Sequence, residues 1–540
     1  MWAAQPPLAL GWLGWVAPVP WLWLVRKDTL SGRRPYWTLW FAALVFWMAA
    51  LHWLRLPHPA VYLGWFALSA YLSIYLPLFV GLSRVGVHRL QLPLWIVAPI
   101  VWTGLELARA HVMTGFMMGS LAHTQADWPV MIQISDLAGE YGVDFVMILV
   151  AAAVVDCGMR NAECGLKGRG AGKSFAPLVP AAVALAATLV YGSSQLKPQT
   201  AIRNPHSETV RIALIQGNSL ADWKTDASKQ QQIMREYFEL SKQVLAKAVM
   251  KDNRPIDLVV WPETMFRSPL REFEDGYELP EGATRTTEEI AAVGKNDLTN
   301  LATQLDTPVL VGVDRIIFLD DDQSATDRPS FRAYNSSALV DRDGKLLGTY
   351  DKYHLVMFGE YVPFSKWMPL LNRLTSITGS ADAGAGPVAL QVDGVCYAPN
   401  ICYETVIPHV IRQQVATLDA AGTRPDVLVN LTNDAWYWGS SELDMHLACD
   451  VFRAVETRTP LVVAANGGIS AWIDHHGRVV AQSPRQQPDV ILADVNLNRA
   501  APISLYVRTG DWFAALCLTA CTFLAIIGWR TRRRAVIPDP

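Results

Sequence analysis

Two patterns divide the chain. Residues 1–196 are almost continuously apolar, whereas 197–510 alternates short apolar runs with charged stretches, as a water-soluble domain does. Runs of about 18 or more apolar residues are long enough to cross a bilayer. They fall near 6–25, 36–54, 60–83, 93–110, 139–157, 175–193 and 511–529, which predicts seven spanning helices. The first has no basic residue before it and no small-residue cleavage site, so it reads as a membrane helix and not as a cleaved signal peptide. Glu106, Arg109, Glu140 and Asp144 lie in or beside the fourth and fifth runs, where ionisable groups are costly. Glu106 and Arg109 are three apart and can share a helix face, either as a functional pair or as an interfacial one.

In the polar half the apolar runs are short. Strands are predicted at 210–217, 257–263 (closed by Pro262), 308–313, 336–341, 426–434 and 460–466. Helical spacing of Ile233, Tyr237, Leu240, Val244 and Ala248 predicts a helix over 224–250, with others at 286–305 and 441–457. Strands of this kind interleaved with helices predict an α/β domain. The Gly/Ala-rich loop 379–387 reads as mobile.

Basic residues orient the chain. Arg26, Lys27, Arg33 and Arg34 follow the first run; Arg84, His88 and Arg89 follow the third; Arg160, Lys167, Arg169 and Lys173 follow the fifth; Arg530 and Arg532–Arg534 follow the last. With seven spans all four segments share one side, which the positive-inside rule makes cytoplasmic. The domain between the sixth and seventh spans then faces outward.

Composition adds constraints. Only 18% of the 540 residues are charged and the formal net charge is −3, which argues against a nucleic-acid partner. Seven Cys without a CxxC pair imply neither a disulfide framework nor a zinc site. Of eleven His, only the adjacent His475 and His476 have ligand-like proximity, and before Gly477 they read as a solvated turn.

Reactive side chains recur where strands end. Glu263 follows "LVVWP", Cys402 follows "YAPNI", Asn433 and Asp434 follow "VLVNLT", and Lys352, His354 and Glu360 lie in "YDKYHLVMFGEYVPF". Open α/β sheets place their sites at such ends. Singly, each has a bland alternative: a helix cap for Glu263, a solvated Lys352, a core Cys402. Together they would supply a base, a cation for an oxyanion and a nucleophile.

These motifs, "WPET", "YDKYHLVMFGEYVPF" and "ICYE", resemble the Glu-Lys-Cys motifs of the nitrilase superfamily. With spanning helices on both sides, the chain resembles its membrane-embedded branch, the apolipoprotein N-acyltransferase family. "IQGNSLADWK", "TNDAWYWGSS", "FRAVETRTPLVVAANGGISAWID" and "YVRTGDW" extend the likeness over nearly the whole length. The resemblance implies a nitrilase-like α-β-β-α sandwich inserted in a multi-span α-helical membrane bundle. Domains would run 1–196 (about six spans), 208–500 (periplasmic catalytic domain), 511–529 (last span) and 530–540 (basic cytoplasmic tail). The family has eight spans and seven are counted, so the first is either absent or encoded upstream. Trp438 is an extra aromatic in "NDAWYWGSS", "LVMFGEY" replaces the family's "LVPFGEY", and "NGGI" replaces an Asn-Asn pair.

The resemblance also implies chemistry. A phospholipid would donate an acyl chain to Cys402, the nucleophile, with Glu263 as proton acceptor and Lys352 stabilising the oxyanion. The thioester would pass to the N-terminal amine of a diacylglyceryl apolipoprotein. Glu360 would hold Lys352 or Glu263, Tyr403 and Glu404 would shape the pocket, and Trp223 would contact lipid or close the site. No metal or cofactor is implied. The protein is expected as a monomer in the cell inner membrane. Cys402 is expected to remain a free thiol, unpaired with Cys396. A membrane-tethered amidase and a non-catalytic scaffold of the same fold are the alternatives.

Overall fold

A computed structural model describes residues 1–59, 61–166, 175–197, 208–220, 226–320, 330–361 and 381–534. Trp223, Lys167, Arg169, Lys173 and residues 535–540 of the basic tail lie outside these ranges.

Among the described residues, five helices are long and apolar enough to cross a membrane: Val61–Arg89, Leu94–Thr114, Glu140–Asn161, Leu178–Leu196 and Trp512–Arg530. Pro35–Ala50 is a sixth apolar helix, of 16 residues. The run expected at 6–25 is not a single helix. It contains two short ones, Leu13–Val16 and Val19–Arg26, separated at Pro18. Pro18 and Pro20 have no N–H to donate to the preceding turn. Even together these residues rise only about 21 Å at 1.5 Å each, short of a roughly 30 Å hydrocarbon core.

The polar half folds into two six-stranded sheets. One has the order β12-β1-β2-β3-β4-β5, the other β11-β10-β9-β8-β7-β6. The strands are β1 (Thr209–Gln216), β2 (Leu258–Phe273), β3 (Val309–Phe318), β4 (Phe331–Val340), β5 (Leu346–Asp351), β6 (Leu390–Val392), β7 (Val395–Ile401), β8 (Val427–Asn433), β9 (Leu461–Asn466), β10 (Ala471–Ile473), β11 (Val479–Gln482) and β12 (Asp489–Asn496). Side chains alternate between faces. Ile212, Leu214, Val260 and Leu310 meet Tyr397, Val429, Leu431 and Val462 between the sheets. Ala213, Val259, Trp261 and Val311 face outward onto the helices Ala227–Asp252 and Thr287–Leu305. The second sheet's outer residues Ala398, Leu428, Val463 and Ala465 pack with Pro408–Ala420 and Glu442–Thr457. This is the expected α-β-β-α sandwich. Its second helical layer shares one continuous core with the membrane helices, including Val101, Leu105, Met147 and Ile148.

Two local expectations change. Pro262 does not close its strand; β2 runs on to Phe273, and its register with β3 shifts between Trp261 and Phe266 and again before Leu270. A proline can sit inside a sheet where a bulge relieves it of a ladder bond. The turn holding His475 and His476 is partly buried and not free in solvent. The His476 carbonyl accepts from Gln133 Nε2 at 2.8 Å, and Arg458 Nη1 lies 3.2 Å from His476 Nδ1.

Candidate active site

Glu263, at the register shift within β2, Lys352, just past the end of β5, and Cys402, in a sharp turn just past β7, converge. Gly312 on β3 backs the β2 distortion: a Cβ there would lie 2.4 Å from the Pro262 carbonyl oxygen and 2.6 Å from Glu263 Cα. Cys402 adopts φ +53°, a left-handed conformation that costs a non-glycine residue of order 1–3 kcal/mol and occurs at functional sites. It opens a 3-10 turn, Cys402–Val406.

Hydrogen bonds link Glu263 to Lys352 through Asn335 and Glu360. Glu263 Oε1 accepts from Asn335 Nδ2 at 2.7 Å, and Oε2 from the Asn433 backbone N–H at 2.9 Å. Asn335 Nδ2 also reaches Glu360 Oε1 at 3.2 Å, and Lys352 Nζ donates to that same oxygen at 2.9 Å. Glu360 Oε2 accepts from the Val356 N–H at 2.9 Å. Glu360 is thus hydrogen-bonded directly to Lys352 and reaches Glu263 by hydrogen bonds through Asn335. Nothing in the sequence marks Asn335 beyond a polar residue within a strand.

The fold determines how these groups ionise. Lys352 is 1% exposed. Burial alone would favour its neutral amine, but Glu360, then Cys402 and Glu263, outweigh it and hold the ammonium above its usual range. Glu360 feels burial in the opposite direction, yet Lys352 and the Val356 N–H bring its carboxyl below the ordinary value. Burial raises Glu263, with Lys352 moderating the rise. Desolvation of the sulfur and the Glu263 charge push the Cys402 thiol well up, against the pull of Lys352. Cys402 therefore rests as a thiol beside a carboxylate made more basic by burial.

The neighbours of Cys402 act as clamps. Glu404 Oε2 accepts from Tyr350 Oη and the Ile401 N–H, both at 2.7 Å, while Oε1 accepts from the Tyr353 and His354 N–H groups, both at 3.1 Å. It ties the Cys402 turn to the Lys352 segment. Tyr403 Oη donates to the Gly115 carbonyl at 2.8 Å, and His354 Nε2 lies 3.0 Å from the Thr114 carbonyl oxygen. Both contacts anchor the site to the end of the Leu94–Thr114 membrane helix. Part of the loop expected to be mobile is held at the site: Gly384 N–H donates to the Lys352 carbonyl at 2.9 Å and Ala381 N–H to that of Glu360 at 2.9 Å. Residues 379 and 380 of that loop lie outside the described residues.

Cys402 is a free thiol, as are Cys396 and Cys449. Cys396 lies near the amino end of β7, beside Arg424, Asp426 and Arg499 in a cavity of about 310 Å³ at the opposite end of the strand from Cys402. Among the described residues, Asp434, Glu442 and His446 have potential metal-ligand atoms within 4.8 Å of one another. Both imidazole nitrogens there already face protein acceptors: Nε2 lies 3.2 Å from the Cys402 carbonyl oxygen and Nδ1 3.4 Å from Asp434 Oδ1. His446 carries no sequence signal beyond its place on an amphipathic helix.

The fold class is that of the carbon-nitrogen hydrolases, whose family model matches residues 211–504. A second model, the apolipoprotein N-acyltransferase N-terminal domain, matches residues 1–153. A relative from Rhodopirellula baltica, named apolipoprotein N-acyltransferase, is 35% identical, with 99% of this chain and 97% of the relative covered. One of the same name from Geobacter metallireducens is 34% identical over 86% of this chain and 80% of the relative. Among solved structures, a nitrilase-superfamily amidase from Nesterenkonia AN1 aligns at 16% identity and TM-score 0.35, covering 55% of this chain and 93% of its own. The chain belongs to the apolipoprotein N-acyltransferase family.

Proposed function

We propose that this protein acylates the N-terminal amine of a diacylglyceryl-cysteine lipoprotein, using a membrane phospholipid as acyl donor and Cys402 as the carrier. The observation that carries the reading is the placement of Cys402: between buried Glu263 and Lys352, on a turn hydrogen-bonded to the end of a membrane helix. A soluble substrate requires no such anchorage; an acyl chain held in a bilayer does.

The steps follow from the ionisation states. Cys402 is not a standing thiolate, so Glu263 takes its proton as the sulfur attacks the donor's ester carbonyl. The oxyanion forms within reach of the Lys352 ammonium, which Glu360 keeps charged. Collapse of the intermediate expels the lysophospholipid alkoxide, which takes the proton from Glu263, and leaves a thioester on Cys402. The lipoprotein amine attacks the thioester, gives its proton to Glu263, and the amide forms as the Cys402 sulfur leaves and is reprotonated. Water must be kept out between these half-reactions, or the thioester hydrolyses.

The basic loops support a multi-pass protein of the inner membrane with residues 208–500 on the periplasmic side and 530–540 in the cytoplasm. Residues 1–196 and 511–529 form the membrane part in this reading, and the unit is a monomer.

The test uses purified full-length protein with phospholipid vesicles. Mass spectrometry should find an acyl group on Cys402 that hydroxylamine removes and that passes to a diacylglyceryl peptide. Free fatty acid released at once, with no acyl-enzyme and no transfer, would assign a hydrolase. Full lipoprotein acylation by Cys402→Ala would exclude Cys402 as the carrier.

A further inference from the structure

The helix Glu442–Thr457 brings a buried imidazole to the back of the Cys402 turn. His446 Nε2 lies 3.2 Å from the Cys402 carbonyl oxygen and 3.0 Å from Thr405 Oγ1. Its Nδ1 lies 3.4 Å from Asp434 Oδ1 and 3.9 Å from Glu442 Oε1. A carbonyl oxygen and an ionised carboxylate only accept hydrogen bonds, whereas a neutral imidazole has one N–H and one lone pair. The Nε2–H tautomer would set its Nδ1 lone pair against Asp434, and the Nδ1–H tautomer would give the Cys402 carbonyl no donor and leave Nε2 to accept from the Thr405 hydroxyl. The imidazolium, with an N–H at each end, satisfies both.

The carbonyl it faces belongs to the left-handed residue. Asn430 Nδ2 at 3.1 Å and Thr405 Oγ1 at 3.3 Å converge on the same oxygen. Moving the Cys402 backbone out of φ +53° would reorient this peptide and disturb all three contacts. His446 is the only charged donor of the three. Asp450 adds a further carboxyl group near the ring, raised by burial to about 6. Asp450 and then Asp434 outweigh burial and push His446 up to about 10, in line with the hydrogen-bond geometry.

We propose that His446, oriented by Asp434, is a positioning residue that donates to the Cys402 carbonyl, locks the Cys402 backbone in its left-handed turn and thereby aims the sulfur. The proposal rests on Cys402 being the nucleophile, and not on which lipid it attacks.

The test compares His446→Leu, which has no donor, with His446→Gln, whose amide N–H can still reach the Cys402 carbonyl. Both are made in the full-length, detergent-extracted protein. Two rates are read: alkylation of Cys402 by iodoacetamide, which needs no lipid, and acyl-enzyme formation from phospholipid vesicles. His446→Leu should lower both by roughly 100-fold, the scale of a misplaced reactive group, with KM for phospholipid unchanged. His446→Gln should recover much of the loss. Parent-like rates in His446→Leu, or equal losses in the two variants, would overturn the proposal. If His446→Leu does not accumulate, His446→Asn replaces it; its shorter amide falls short of the carbonyl, and parent-like rates there overturn the proposal equally. An activity removed by EDTA and restored by Zn²⁺ or Mn²⁺ would also overturn it, because Nδ1 would then be a ligand and not an N–H. If the parent forms no acyl-enzyme but its alkylation still depends on residue 446, the phospholipid reading fails and this one stands.

Discussion

At the scale of single residues, the site couples groups whose environments push them in opposite directions. Burial raises Glu263, while Lys352 and a backbone N–H lower Glu360 despite burial. A carboxyl raised in the folded state stabilises the fold below its unfolded value, near 4.3, and that contribution is lost as pH rises through the folded value. At pH 7 the Glu263 charge is therefore a burden on stability. Glu263→Gln should raise or preserve the melting temperature at pH 7 and lower acyl-enzyme formation by about 10²–10⁴-fold. Calorimetry and single-turnover acylation check the two halves. In the parent protein, the acid limb of acylation should inflect above the ordinary glutamate value, because the base must be ionised to act; a pH profile of Cys402 acylation measures it.

At the scale of elements, the shifted β2 register is the device that places Glu263. A regular ladder through residue 263 would leave Pro262 in the pairing and keep Glu263 in strict alternation. The shift frees both, and Gly312 leaves the room it needs. Gly312→Ala should displace Glu263, lowering acylation by roughly 100-fold for about 1–3 kcal/mol of stability. Activity falling with a near-normal melt would separate misplacement from unfolding. The Glu404 clamp works between elements as well. With Glu404→Ala, the Tyr350 hydroxyl and the Ile401, Tyr353 and His354 N–H groups all lose their acceptor. Slower alkylation of Cys402 in that variant would register a loosened turn.

At the scale of the whole molecule, the catalytic domain is not tethered to the membrane helices but built into them. Glu140 Oε2 accepts from Arg453 Nη2 at 2.7 Å, the Glu140 N–H donates to Glu456 Oε1 at 2.8 Å, and Arg458 Nη2 pairs with Asp136 Oδ2 at 2.7 Å. Arg453→Leu leaves Glu140 and Glu456 buried without their cation. It should cost about 3–5 kcal/mol, read as a lower melting temperature of the detergent-extracted protein. Residues 208–500 expressed alone should aggregate, because Val410, Ile411, Phe452 and Val455 pack in a core that membrane residues complete. Soluble, monomeric material would refute this.

What the sequence determined by itself was local and periodic. Short apolar runs located the six strands singled out above, long apolar runs located most of the membrane helices, and distinctive short motifs picked out Glu263, Lys352 and Cys402. The run at 6–25 misled because mean hydropathy does not register the N–H groups that Pro18 and Pro20 lack. Pro262 misled in the opposite sense, since a proline closes a strand only where no register shift accommodates it. Asn335, Gly312 and His446 were illegible: each acts on a residue more than 40 positions away, through contacts that spacing does not encode. Only the tertiary structure could decide that Glu360 holds Lys352, that Tyr403 reaches a membrane helix, and that Cys402 rests as a thiol. Hydrogen-bond partners and desolvation belong to the packed molecule, and no short stretch of sequence contains them.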